Sequence, residues 1–162
     1  MDSESSDEQT QVRPATEGDA LFLTELALRS KGYWEYDREF LLDCRADLTI
    51  TPEFVCSNVV FVIEEKGTIV GFYSLERLAS ADVELVHLFV EPQAIGSGYG
   101  KQLMRHAAET ARGLGFQVMI IKSDPYAEAF YKSMGAIRIG EIASTVRFER
   151  MLPLLRFNLS VE

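Results

Sequence analysis

Three glycines at alternate positions, Gly96, Gly98 and Gly100, are followed at once by Lys101. The apolar run Leu85–Val90 precedes them and reads as a buried strand that Pro92 closes, because proline has no amide to give a ladder. After them Leu103, Met104, Ala107, Ala108, Ala111 and Leu114 recur at helical spacing. A strand thus passes through a glycine turn into a helix. The first amides of a helix have no partner within it and carry the positive end of its dipole. Glycines remove the side chains that would hold an anion away from them, and Lys101 adds a charge, so the stretch is a candidate diphosphate cradle. The alternative is a tight connection with glycines for steric reasons.

Two familiar cradles fit less well. A P-loop needs Ser or Thr after its lysine to hold magnesium, and Gln102 stands there. A dinucleotide fingerprint starting at Gly96 needs its third glycine where Lys101 stands, and an acid about 20 residues on, where Gly115-Phe116-Gln117 lies.

The strand Asp82–Val90 carries a second chemical signal. In regular alternation Val83, Leu85, His87 and Phe89 share one face and Glu84, Val86, Leu88 and Val90 the other, unless a bulge intervenes. Both faces are mostly apolar, so the strand is expected at the centre of the sheet with helices on both sides. A carboxylate at Glu84 on such a strand needs water or a partner. Glu84 is a candidate base and His87 its competitor, since imidazole titrates near neutrality. Regular alternation turns His87 away from Glu84, and a lone strand histidine is more often a satisfied core residue.

The elements that must position these groups follow in order. Residues 1–9 are polar and acidic and read as a disordered tail, and 10–162 as one domain. Thr10–Arg13 forms a short strand, and Thr16-x-x-Asp19 resembles a capping box opening a helix that runs to about Lys31. Asp37 caps a second helix carried by Phe40, Leu41, Cys44 and Leu48, and Thr51-Pro52 starts a short turn. Between the helices Tyr33, Trp34 and Tyr36 alternate with Glu35 and Asp37: they pack the helix pair on the sheet or wall an acceptor pocket. Val59–Glu64 and Ile69–Leu78 form a hairpin about Lys66-Gly67. After the glycine turn come strand Gln117–Ser123, a helix started by Asp124-Pro125, and strands Ala136–Ile142 and Met151–Leu159 around a loop at 143–149. The order β-α-α-β-β-β-α-β-α-β-β makes an α/β domain with a mixed sheet.

With 162 residues, 47% hydrophobic and 25% charged, the chain has the composition of a soluble globular protein. No apolar run reaches the roughly 20 residues of a membrane span, and no secretory signal is expected from the N-terminal residues. Net charge is −9, which argues against nucleic acid as a partner. Cys44 and Cys56 are not spaced as metal ligands; they read as reduced thiols in a cytoplasm, and no metal is expected.

Gln93-x-x-Gly96-x-Gly98, flanked by Val90-x-Pro92 and Tyr99-Gly100, resembles the acetyl-CoA signature Gln/Arg-x-x-Gly-x-Gly/Ala of the GNAT superfamily of N-acyltransferases. Asp124-Pro-Tyr-Ala127-Glu-Ala-Phe130-Tyr131-Lys-Ser-Met-Gly135-Ala136 is similar to a second GNAT segment, Asn-x-x-Ala-x-x-Phe/Leu-Tyr-x-x-x-Gly-Phe, with aspartate for the common asparagine and Ala136 for the usual aromatic. The element order agrees with that fold, and the resemblance covers roughly residues 10 to 160.

That resemblance implies a single GNAT-type domain: a central, mostly antiparallel mixed sheet, helices on both faces, and parallel strands Glu84–Val90 and Gln117–Ser123 splayed around acetyl-CoA. It implies that the backbone of Leu88, Phe89 and Val90 holds the pantetheine. Amides around Ile95, Gly96, Ser97, Gly98, Tyr99, Gly100 and Lys101 would take the diphosphate. Gln93, Asp124, Ala127 and Tyr131 complete the cofactor site. It implies direct attack by an amine of a small molecule or peptide, with Tyr131 as acid toward the thiolate and Glu84 as base. Tyr33, Trp34, Tyr73 and His87 are candidate acceptor contacts. The sequence does not settle oligomeric state; dimers are frequent in that family, and Leu155, Phe157 and Leu159 of the last strand offer a place for such contact. A CoA-binding module without turnover is the competing class; it would have no need of Tyr131 and Glu84.

Overall fold

The computed structural model describes residues 10–147 and 149–160, so the acidic segment expected to form a tail lies outside the described residues. Seven strands form one sheet: β1 (Thr10–Pro14), β2 (Val59–Glu65), β3 (Thr68–Arg77), β4 (Asp82–Val90), β5 (Val118–Lys122), β6 (Ile137–Ala143) and β7 (Met151–Asn158). They lie in the order β1-β2-β3-β4-β5-β7-β6, with every pair antiparallel except β4–β5. β4 is thus central, as its apolar faces require.

The helices are α1 (Ala20–Lys31), α2 (Arg38–Leu48), α3 (Pro52–Ser57), α4 (Tyr99–Gly113) and α5 (Glu128–Ser133). Local chemistry places their starts. The Asp37 carboxylate accepts from the Phe40 amide at 2.7 Å and opens α2, and the Thr51 hydroxyl accepts from the Phe54 amide at 3.0 Å and opens α3. Pro52 and Pro125 each sit in a first turn, where a missing amide costs nothing.

Two cores sandwich the sheet. On one face α4 buries Leu103, Met104, Ala107 and Ala111 against Ile63, Leu75, Leu85 and Met119. On the other, α1 to α3 bury Leu23, Leu26, Phe40 and Val55 against Val62 and Phe72.

Two irregularities in β4 shape the function. First, Leu85 stands opposite Leu75 and His87 opposite Ser74, so Val86 is an extra residue, a β-bulge. One extra residue exchanges the faces of everything beyond it. Val83 and Leu85 join the α4 core, as do Leu88 and Val90, while Phe89 joins the α1–α3 core and His87 packs near Phe72 and Phe54. Regular alternation therefore fails here, and Glu84 and His87 share a face.

Second, β4 and β5 pair only over Asp82–Glu84 and Val118–Ile120. Beyond Glu84 the parallel strands part, leaving one edge of β4 open along a wedge. This is the splayed pair that the sequence resemblance implied.

Of the residues expected at a dimer contact, Leu155 and Leu159 are fully buried in the chain's own core, and Phe157 packs partly buried against it, with β7 lying between β5 and β6. The edge strand is β6, with Ile137 and Ile139 exposed.

Candidate active site

The wedge opens into a cleft of about 790 Å³ whose walls come from both sides of the sheet centre. At one end lie Leu88, Phe89 and Val90 of β4, then Ile95, Gly96, Gly98, Gly100 and Lys101, with Ala127, Phe130 and Tyr131 opposite. Gly96 and Gly98 have φ of +93° and +92°, a left-handed conformation costing other residues about 1–2 kcal/mol. A Cβ at either would meet nothing within 4 Å, so these glycines serve backbone conformation and leave open space beside them. Gly98 caps α4, and the first backbone bond closing that helix runs from Gln102 N to Gly98 O at 3.2 Å. The amides just before Gln102 therefore lie unpaired at the positive end of a 15-residue helix, beside Lys101. The Ile95 and Ser97 amides are different: they already donate to Pro92 O and Ala94 O.

Tyr131 is buried, and desolvation first and the Asp124 carboxylate second push its pKa far above that of a free phenol. It is a proton-bearing hydroxyl at neutral pH. Its ring lines the cleft, and among the described residues no protein group is found hydrogen-bonded to its oxygen, which retains access to the cleft.

The far end is built from side chains. Glu84 stands 3.7 Å from Lys122 Nζ across the mouth of the wedge, so the carboxylate has the partner its position demanded. His87 Nδ1 lies 2.7 Å from the Ser74 hydroxyl. Burial pulls His87 down to about 4, against a smaller opposing influence of nearby Asp47. Its ring is neutral and engaged by Ser74. Trp34 stacks on Tyr126 with centroids 5.0 Å apart, and both line the cleft. Lys31 of α1, Cys44 and Asp47 of α2, and Ser144–Val146 and Arg150 of the β6–β7 connection close this end.

A sequence profile of the Acetyltransferase (GNAT) family matches residues 22–136. The chain belongs to the GNAT acetyltransferase family. Among solved structures, this GNAT chain superposes on the PaiA N-acetyltransferase of Thermoplasma acidophilum in complex with coenzyme A. The TM-score is 0.76 and the identity 15%, over 92% of this chain and 98% of that one. The 5-NmdU N-acetyltransferase of Pseudomonas phage PaMx11 is 32% identical over 83 residues, 51% of this chain and 59% of that protein. The amino-acid acetyltransferase of Neisseria meningitidis is 36% identical over 70 residues, 43% of this chain and 16% of that protein. This chain thus spans less than two thirds of the length of these curated relatives.

Within the GNAT fold the expected site residues divide. Tyr131, Glu84, Leu88–Val90, Ile95, Gly96, Gly98, Gly100, Lys101, Asp124, Ala127, Trp34 and His87 all line the one cleft. Gln93, Ser97, Tyr99, Tyr33 and Tyr73 do not. Tyr99 turns into the α4-side core and donates to Glu65, which raises its pKa to about 12. Tyr33 is half exposed and meets Trp34 edge-on. Tyr73 is wholly buried on the α4 face, its hydroxyl 2.7 Å from His106 Nδ1, because on β3 it alternates with Phe72 and Ser74, which face the other way. It is no acceptor contact.

Sequence reading missed Lys31, Asp47, Lys122 and Arg150, isolated charges with no motif around them. Tyr36, one of the three aromatics singled out, sits between the two readings offered for it: it packs on Phe40 and hydrogen-bonds Asp124 of the cleft wall. Cys44 is buried and its thiol pushed up by desolvation, which keeps it protonated rather than nucleophilic. Among the described residues no three His, Cys, Asp or Glu side chains cluster to hold a metal, and no helix is long and apolar enough to cross a membrane.

Proposed function

We propose that this GNAT chain transfers the acetyl group of acetyl-CoA to a primary amine of a small molecule or peptide by direct attack in a ternary complex. One observation carries the reading: Tyr131, buried and holding its proton, opens into the same cleft as Glu84. Bound acetyl-CoA would supply an activated thioester whose acetyl carbon accepts a nucleophile. The fit is physical: an open strand edge at Leu88–Val90, unpaired amides at the start of α4, and Lys101 suit an extended amide chain ending in a diphosphate.

An amine arrives as ammonium and must lose a proton before it attacks. Glu84 takes that proton, directly or through water, with Lys122 balancing its charge. An amide near Phe89 or Val90 would polarise the acyl carbonyl and steady the negative charge that develops on its oxygen. Tyr131 gives its proton to the departing sulfur. His87, its ring buried and engaged by Ser74, has a structural part.

The test begins with thermal unfolding alone and with acetyl-CoA, NADH or ATP. Acetyl-CoA at about 100 times its Kd should add roughly 2.7 kcal/mol. A panel of amino acids, polyamines and short peptides is then assayed for amine-dependent thiol release. Stabilisation by a control nucleotide instead of acetyl-CoA would overturn the cradle. Stabilisation by acetyl-CoA without release by any amine would favour the CoA-binding module.

A further inference from the structure

Asp124 stands where the GNAT segment commonly has asparagine, and the resemblance assigned it to the cofactor. Its carboxylate is already occupied from another direction. Oδ1 accepts from the Tyr36 hydroxyl and the Tyr126 amide, both at 2.9 Å. Oδ2 is ion-paired to Lys31 Nζ, lies 2.8 Å from the same Tyr36 hydroxyl, and is 3.7 Å from Arg150 Nη2. Arg150 donates to the Tyr36 hydroxyl at 2.5 Å and lies over the rings of Tyr36 and Phe40 at 5.1 and 4.8 Å. Lys31 Nζ lies 5.0 Å from the centre of the Tyr36 ring. These partners come from the end of α1, the α1–α2 connection and the β6–β7 connection.

We propose that Asp124 is a positioning residue of the acceptor chamber: it ties Lys31, Tyr36 and Arg150 into one wall and does not serve as a contact for the coenzyme. The physical reason is charge. Two cations with side chains 14% and 22% exposed converge on one carboxylate that is 18% exposed. Asparagine has the shape to keep the Tyr36 and Tyr126 hydrogen bonds, but it would leave Lys31 and Arg150 repelling each other with nothing between them. The segments they anchor would then part from the β5–α5 turn.

The experiment compares the full chain with Asp124→Asn, and with Asp124→Asn combined with Lys31→Met. Three quantities are read: the Kd for CoA by calorimetry, amide hydrogen exchange over 31–40 and 143–150 with 95–101 as internal reference, and the kinetics of whichever panel amine is turned over. In Asp124→Asn the Kd for CoA should stay within about twofold. Exchange in the two wall segments, and KM for the amine, should rise by about tenfold or more, the scale of a broken partly buried ion pair. The kcat should change far less than KM. Removing Lys31 as well should recover part of both losses, which a merely misfolded variant would not do.

A tenfold rise in the Kd for CoA with exchange unchanged would overturn the proposal and return Asp124 to the cofactor site. The kinetic arm rests on the acetyl-transfer reading, whereas binding and exchange do not. Absence of amine-dependent thiol release in the unsubstituted chain would count against that reading; unchanged exchange in Asp124→Asn would count against this one.

Discussion

The two ends of the cleft are made of different materials. The end proposed for the donor is mostly backbone: the unpaired edge of β4, two glycines with positive φ and the free amides of α4, all within one continuous stretch from Leu85 to Lys101. The end proposed for the acceptor is mostly side chains, drawn from α1, α2, β4, β5 and the β6–β7 connection and held by ion pairs, hydroxyls and stacked rings. A backbone cradle depends on local conformation and tolerates changes in most surrounding side chains. A wall of paired charges is altered by any one of them, since removing a partner leaves the other buried and uncompensated. Chemistry shared across a family therefore suits the first construction, and chemistry that selects among substrates suits the second.

Substitutions can break that comparison at its joints. The largest effect is expected from Tyr131→Phe, where the ends meet: loss of a positioned acid should lower turnover by about 10² or more, while calorimetry should show CoA affinity near normal. Unchanged turnover would remove Tyr131 from the chemistry.

Acid should loosen the acceptor end through His87. Its pKa is about 4 folded and about 6.5 unfolded, so the unfolded chain binds the extra proton between those values. Its contribution is complete above pH 6.5 and is lost as pH falls toward 4. At 1.36 kcal/mol per unit, that is about 2 kcal/mol between pH 6.5 and pH 5. Urea unfolding at several pH values should show this slope in the unsubstituted chain and lack it in His87→Gln. Equal slopes would mean the ring is not buried neutral.

Gly98→Ala probes the donor end alone. With φ of +92° an alanine strains the turn by about 1–2 kcal/mol, and CoA affinity should fall about tenfold as the turn relaxes away from the amides. Exchange at the acceptor wall should not change. The smallest effect belongs to the exposed pair Arg147–Asp43 at the chamber's outer rim. Asp43→Asn should leave the unfolding midpoint unchanged within error, because water and salt screen such pairs. A clear drop would mean that the rim contributes to holding the chamber shut.

The donor end was legible because its determinants lie side by side. Glycine spacing, the capping of α2 and α3 by Asp37 and Thr51, and the interval from Asp124 to Tyr131 are properties of short segments. The acceptor wall was not legible. Lys31 is 93 positions from Asp124, and Arg150 is 114 from Tyr36. Nothing near Arg150 marks it as the partner of an aromatic ring on the far side of the chain. The bulge at Val86 was equally hidden, because Leu85-Val86-His87 contains no glycine or proline to announce it. Tyr73 was misassigned for a related reason: an aromatic on a central strand may serve either face, and only the register with its neighbours says which.

Amino-acid order alone was enough for the succession of strands and helices, the central place of β4 and the glycine turn. Each follows from local rules of periodicity, capping and backbone strain acting over a few residues. Tertiary packing decided where β4 and β5 stop pairing, which face His87 and Glu84 share, whether β7 is an edge, and which cations Asp124 holds. These are relations between segments: a register or an ion pair takes its value only when distant parts of the chain meet, and a shift of one residue in a strand reverses the outcome.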